Sequence, residues 1–540
     1  MTVPDGPVLV VTLEEDAVRA IRKDIETLTD GAIKMRTELP KSSQVVVVGG
    51  GNAAMCAALA AAEKGAQVLL LERAPEDESG GNSRFTAGAM KCVYDGVDDL
   101  KALMPDLSEA EIAMTDFGVH PESKYFEDME RQTENRTDPD LCEVLVRRNR
   151  DTVRWMRDKG VRFAPMYGRQ AFKYEGRFKF WGGLTVEAVG GGPGLVESLT
   201  KACKKAGIQI VYQARALSLI TDDDGIQGIR IKHEGHTSVV ASRCIVLATG
   251  GFQANAEMRT RYLGPNWELA KVRGTRFNTG DGIQMALNVG AMPTGNWSGC
   301  HAVGWDRNAG EFGDLEVGDG YQKHSYPFGV LLNANGERFV DEGAEVFSYT
   351  YSKYGREVLN QPGQFAWQIF DAKAQPFLRG EYRHRKITKV TANTLVEFVK
   401  KLDDVNPQKA LETILAYNAA ARNQVPFDPN AKDGLTTLGL AINKSNWALP
   451  IDQAPFEGYA VTCGITFTFG GIRIDTQARV IDTDGQPIHG LFAAGEMVGG
   501  IYWFGYPSGS GLTSGAVFGR IAGEGAARRA GELTSSATAE

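Results

Sequence analysis

Residues 44–72 read QVVVVGGGNAAMCAALAAAEKGAQVLLLE. Four β-branched residues in a row, Val45–Val48, are the pattern of a strand buried on both faces of a parallel sheet. Three glycines follow, then a small apolar run from Ala53 to Lys64. That run predicts a helix lying close on the sheet, with Gly65 as its C-cap. Val68–Leu71 is the next buried strand, so the stretch is a βαβ unit. Inside it, Gly49-Gly50-Gly51-Asn52-Ala53-Ala54 is a G-x-G-x-x-A fingerprint between strand and helix. Gly49 makes the turn, Gly51 lets the backbone approach a pyrophosphate, and Ala54 lets helix and strand pack closely. Glu72 ends the second strand, 23 residues after Gly49, where a carboxylate receives the hydroxyls of an adenosine ribose. Val45 to Ala62 is apolar enough to imitate a membrane helix, but three consecutive glycines argue against one.

The rest of the composition narrows the function. The chain has 540 residues, 43% hydrophobic and 23% charged, which predicts two domains with one split in sequence. A formal net charge of −8 speaks against a nucleic-acid partner. Seven cysteines (Cys56, Cys92, Cys142, Cys203, Cys244, Cys300 and Cys463) include no C-x-x-C pair. Dithiol redox, iron–sulfur and metal chemistry therefore lack support, and an odd thiol count suits a reducing cytoplasm. The start, MTVPDGPVLVVTLEEDAVRAIRKD, lacks the basic opening of a secretory signal, which again predicts a cytoplasmic location.

A carboxylate at Glu72 suits NAD and FAD alike. Later glycine-rich stretches favour FAD, because a longer dinucleotide needs holding at its far end. SGGNS contributes Gly81, Asn82 and Ser83, and LATGG contributes Thr249 and Gly250. GLFAAGE ends in Glu496. Arg73 after the second strand, Ala216 in the strand ARALSLI and Asp281 in NTGDG complete the candidate set. A final helix is predicted to begin near Gly511 and Leu512. Its free N–H groups and positive partial charge suit the anionic face of a reduced flavin.

The domain expectation is α/β: a split Rossmann-like FAD-binding domain with an inserted α+β cap. Residues 1–43 read as an N-terminal extension with a helix over Leu13–Glu38, 44–299 as the first part of the FAD-binding domain, and 300–455 as the cap. Residues 456–529 read as the second part and 530–540 as a flexible tail. The cap segment holds seven of the sixteen tyrosines. Residues 97–165 read as mostly helical, and 207–249 as short strands with an inserted meander.

The ordered set VVVVGGGNAA, LLLE, GGNS, LATGGF, NTGDGIQMA, GERFVDE, GLFAAGE and FGRIAG resembles the fumarate reductase/succinate dehydrogenase flavoprotein superfamily over residues 44–529. The resemblance implies FAD, a mobile cap, a small-molecule substrate between the two, and hydride exchange with a carbon beside a carbonyl or carboxylate. Asn82 stands near where membrane succinate dehydrogenases carry a flavin-linked His, which implies non-covalent FAD. TCGITFTFGGIRID, YPSGSGLTSGAVFGR and GCHAVGWD resemble the tricarballylate dehydrogenase family, which implies an electron acceptor for which a membrane redox protein is a candidate. Phe85 and Phe347 stand where that family tends to have His and Arg, which predicts a less charged substrate. YPSGSG also resembles the 3-ketosteroid dehydrogenase group, where a Tyr matching Tyr506 polarises a ketone.

These readings give a dehydrogenase, or desaturase, forming or reducing a C–C double bond. Two alternatives are a desaturase of a cyclic ketone and a non-catalytic electron-transfer subunit. The catalytic candidates are Tyr506, His301, Tyr351 and Tyr502. His301 lies within a residue of a fumarate reductase active-site His, and Tyr351 is expected to share one helix face with Tyr354. Tyr502, Trp503 and Phe504 are expected to wall the site. Arg338 and Glu337 read as structural, and Arg383, His384 and Arg385 as a solvated basic run.

Overall fold

β1 (Val45–Val48) has all four valines buried, and the chain leaves it through Gly49, at φ +119°, into helix α1 (Asn52–Glu63). β2 (Val68–Leu71) returns parallel to β1, with Val45 opposite Val68 and Val48 opposite Leu71. β3 (Gln209–Val211) adds to β2, and β4 (Ile245–Leu247) to the other side of β1, both in parallel. Two strands from the end of the chain complete a six-stranded sheet: Pro487–Ala493, parallel, and Arg479–Ile481, antiparallel. The computed structural model describes residues 39–180, 186–422 and 425–537, and the helix expected over Leu13–Glu38 lies outside them. The meander is present as Ala214–Asp222, Gly225–His233 and His236–Ala241.

Helix α2 (Ser510–Ala537) lies directly on α1, and three glycines four residues apart make that possible. A Cβ at Gly519 would stand 2.4 Å from the Ala53 carbonyl oxygen, and one at Gly523 only 2.0 Å from that of Ala57. At Gly515 the nearest atom would be the Asn52 side-chain nitrogen, 3.3 Å away. Gly523→Ala is therefore expected to cost about 2 kcal/mol, because backbone must move to admit the methyl group. Gly531→Ala, where an added Cβ meets nothing within 4 Å, should instead gain up to about 1 kcal/mol from helix propensity. Urea midpoints at unchanged slope measure both; a stabilised Gly523→Ala would contradict the packing argument. The helix continues to Ala537, so residues 530–537 are helical where a frayed tail was expected.

The second large sheet is built on two long strands, β5 (Pro293–Asp306) and β6 (Phe456–Ile472), which run antiparallel. β6 also pairs with Phe365–Phe370 and Lys389–Ala392, and in parallel with Lys271–Val272. Its core is apolar, with Trp367, Phe398, Ile414 and Tyr417 fully buried. The sheet takes strands from both sides of positions 299/300 and 455/456. Around the middle of β6 the pairing slips: His301 faces Phe467, but Ala302 faces Ile465, which leaves Thr466 unpaired. Such a bulge re-aims side chains, and Thr466 and Phe467 both line the cavity described next. The stretch TLVEFVKKL forms a short helix, Leu395–Val399. No helix among the described residues is long and apolar enough to cross a membrane.

Candidate active site

A cavity of ≈ 280 Å³ runs from the start of α1 to the start of α2. Gly49, Gly51, Asn52, Ala53, Glu72, Arg73, Ala216 and Asp281 line one end of it. Ala54 does not reach the cavity. It packs under the turn, 3.6 Å from where a Cβ on Gly49 would be. The Glu72 carboxylate is buried, and its Oε1 accepts the Ala74 N–H at 2.7 Å; burial pushes its carboxyl up from the ordinary range. A Cβ on Gly50 would stand 2.3 Å from Glu72 Oε2, so a side chain there would push the carboxylate aside. At the rim, Arg73 donates to Thr279 Oγ1 at 2.5 Å and to Asp281 Oδ2 at 3.2 Å, and Arg215 holds the same carboxylate at 2.8 Å.

The middle of the cavity is bracketed by side chains that tie distant segments. Asn52, at the start of α1, is held by two other segments: its N–H donates to Ser83 Oγ at 3.0 Å and its side-chain nitrogen to the Leu512 carbonyl of α2 at 2.8 Å. Asn82 donates to the Thr466 carbonyl at 2.6 Å and accepts the Thr275 N–H at 3.0 Å. Gly81, Thr249, Gly250 and Gly511 line the same passage.

Glu496 lines this passage, half-buried. Its Oε1 accepts the Thr468 N–H at 3.0 Å, and its Oε2 faces Gln253 at 3.2 Å and Asn278 at 3.4 Å. Burial pushes its carboxyl up to about 7, against these hydrogen bonds. A raised acid keeps its proton in the native state after the unfolded chain has released one. Its stabilising contribution is therefore complete below about pH 4.5 and lost as pH rises through about 7. The loss amounts to about 3 kcal/mol. Glu496→Gln should flatten the stability of the FAD-free protein across that window, measured by denaturant titration at several pH values; an unchanged pH slope would show the carboxyl titrates normally.

The far end is an aromatic box. Tyr351, Phe467, Tyr502 and Tyr506 line it with Phe347. The Tyr506 ring meets that of Phe467 at 5.0 Å, Tyr502 at 5.6 Å and Tyr351 at 6.3 Å. Burial, the largest influence, raises the proton affinity of Tyr351, Tyr502 and Tyr506, so all three phenols are neutral near pH 7. The Tyr351 hydroxyl lies beside those of Tyr506 and Ser508 without the geometry of a hydrogen bond to either. His301 does not line the cavity. It stacks behind Phe467 at 5.4 Å and sits edge-on to Tyr506 at 5.0 Å, fully buried, with both ring nitrogens unpartnered. Burial and then the nearby Arg273 hold it far below its ordinary pKa, so it is neutral.

Several expected placements differ. Trp503 and Phe504 point elsewhere: Arg136 lies over the Trp503 ring, and Phe504 is 37% exposed. Phe85 packs against Gly313, outside the cavity, while Phe347 is in its wall. Tyr351 and Tyr354 share no helix face, because one follows Phe347–Thr350 and the other begins Tyr354–Leu359. Tyr354 donates to the Asp341 carbonyl at 2.6 Å, and Tyr349 lies under the Arg131 guanidinium. Arg338 is locked in a buried ion pair with Glu342.

The cations of the site come from segments the sequence reading passed over. Arg169, Arg273 and Arg379 line the aromatic end, with His324, Gln322 and Asp319. Arg169 grips Asp319 through both Nη atoms, with Nη2 at 2.6 Å from Oδ1. Arg273 stands 3.5 Å from the same carboxylate and 3.4 Å from Thr466 Oγ1. Arg379 lies over the Phe347 ring at 4.6 Å, with Glu381 at 3.1 Å. Arg383 and Arg385 are exposed, so the basic run is solvated while its neighbour four residues earlier is in the site.

A family model described as an FAD binding domain matches residues 44–512. The chain belongs to this FAD-binding family. A probable fumarate reductase of Shewanella frigidimarina is 30% identical over 471 residues, 86% of this chain and 71% of that protein. A 3-oxosteroid 1-dehydrogenase of Mycobacterium tuberculosis is 26% identical over 371 residues, 64% of each chain. The open conformation of a flavocytochrome c3 fumarate reductase superposes with a TM-score of 0.70 at 27% identity, covering 94% of this chain and 81% of that one. The flavoprotein is thus an FAD-dependent oxidoreductase acting on CH–CH bonds, which sets aside the carrier-only alternative. The lining suits the cofactor: the α1 turn presents three consecutive glycines to the cavity, and the buried Glu72 carboxylate lies beside them. Among the described residues no cluster suits a metal ion.

Proposed function

We propose that this flavoprotein forms or reduces a carbon–carbon double bond next to a carbonyl or carboxylate. The observation that carries the reading is the Tyr351–Tyr506 pair, two neutral phenols at the closed, aromatic end of the FAD cavity. Bound FAD supplies a two-electron centre that gives or takes hydride. Tyr506 donates a hydrogen bond to the activating oxygen, where negative charge builds as the α-carbon changes protonation. Tyr351 transfers the α-proton, giving it in reduction and taking it in oxidation. Both phenols are protonated at rest, which suits the reductive direction, since it needs a donor at the oxygen and a proton for the carbon. Phe467 and Tyr502 exclude water from the reacting carbons.

Three carboxylates on one substrate would need three free cations, and Arg169 is already committed to Asp319; a tricarballylate-like substrate is therefore disfavoured. The aromatic walls support a second reading, a cyclic ketone desaturated beside its carbonyl. All seven cysteines are unpaired and buried, which supports a reducing, cytoplasmic location. The electron partner is an unidentified redox protein or carrier, with a membrane redox protein as one candidate.

The test is anaerobic. Chemically reduced holoenzyme is mixed with 2-enoates and, separately, with cyclic enones, and oxidised flavin absorbance is followed. Reoxidation by at least one class supports the reading, and reoxidation by neither rejects it. Acid precipitation of the same preparation is expected to leave yellow flavin in the supernatant, because Asn82 offers no attachment for a covalent link; flavin retained in the pellet would contradict this.

A further inference from the structure

Arg273 has a side chain nine-tenths buried at 10% exposure, lines the cavity, and carries an Nε with no hydrogen-bond partner. It is close enough to influence Tyr351, Tyr506 and His301 electrostatically. Around it the unpartnered donors accumulate. Arg379 Nε meets Glu381 only as an ion pair, without hydrogen-bond geometry, and His324 Nε2 is buried with no partner. Buried donors without acceptors are costly, and buried unpaired charges more so.

The charge count points the same way. Three guanidinium groups face this end, against the carboxylates of Asp319 and Glu381. Asp319 is drawn to Arg169, and stands 3.5 Å from Arg273. Glu187 also faces Arg169, but burial pushes its carboxyl up from the ordinary range. The other two arginines in the cavity wall, Arg73 and Arg215, are bound to Asp281 at the nucleotide end. The aromatic part of the wall, Phe347, Phe467 and Tyr502, carries no cation for a second anion.

We infer that Arg273, backed by Arg169 and Arg379, forms a carboxylate subsite beside Tyr506, so that the substrate is a 2-enoic acid with one carboxylate on an uncharged planar body. The inference rests on the reaction proposed above and identifies its activating oxygen. One carboxylate oxygen takes the Tyr506 hydrogen bond and the other faces Arg273. The body of the acid then lies along the aromatic wall, where a ring or a flat chain loses nothing by leaving water.

Binding tests this without turnover. Holoenzyme with oxidised FAD is titrated with 3-phenylpropanoate, its neutral amide and succinate, following heat or the flavin spectrum. The acid is expected to bind at least about 10-fold more tightly than either. Arg273→Gln should remove about 10- to 100-fold of the preference for acid over amide, the range for a hydrogen bond to a charged group, at unchanged FAD content. Should that variant lose FAD, Arg379→Gln replaces it, with an expected loss of about 5-fold or more. Equal binding of acid and amide, tightest binding of succinate, or a variant that keeps the preference would overturn the inference. If the acid preference holds but neither enoates nor cyclic enones reoxidise the flavin, the subsite stands and the proposed reaction fails.

Discussion

Tyr506→Phe is expected to keep FAD bound and to slow enoate-driven flavin reoxidation by about 10²- to 10³-fold. The ring remains, so its contacts with Phe467, Tyr502 and His301 at 5.0–5.6 Å persist. What disappears is a neutral hydroxyl aimed into a dry site, and one such donor to a developing oxyanion is worth about that factor. The effect should fall mainly on the rate, because the donor matters most where charge peaks. Stopped-flow traces at saturating substrate separate rate from affinity. A variant reoxidising at near wild-type rate would rule the role out.

Tyr351→Phe is expected to cost about 10²- to 10⁴-fold in the same reaction, the range for losing a general acid. Its hydroxyl sits beside those of Tyr506 and Ser508, and burial keeps it protonated. Unlike Tyr506, it is assigned to carbon rather than oxygen, so affinity for the saturated acid should change by only a few-fold. The wild-type rate should slow in D₂O, because the phenolic proton it transfers exchanges with solvent. Full activity of Tyr351→Phe would transfer the role elsewhere. His301 is a poor substitute, being outside the cavity wall and held neutral by burial and Arg273.

The nucleotide half of the site was legible because its information is local. Gly49, Gly51 and Ala54 act within six consecutive residues, and Glu72 follows at the end of the adjacent strand. Even there a finer point escaped: a side chain on Gly50 would collide with the Glu72 carboxylate, which folds back beneath it. The glycines of α2 were visible as letters, but their role against Ala53 and Ala57 depends on two helices that are more than 440 residues apart in sequence.

The substrate half was read only in part. YPSGSG announced Tyr506, but neighbouring positions put Trp503 and Phe504 in the site, the family resemblance put Phe85 there, and Arg169, Arg273 and Arg379 were left out. No short motif joins positions 169, 273 and 379. Arg273 arrives because Lys271–Val272 pairs with β6, and Phe467 turns inward because the β5–β6 register slips at Thr466. By itself the sequence determined the parallel sheet, the dinucleotide turn and the cofactor class, since each follows from periodicity or from residues adjacent along the chain. Only the tertiary structure decided which charges and rings share the cavity, because side-chain convergence depends on strand register and on a bulge one residue wide, and neither leaves a pattern in the order of the letters.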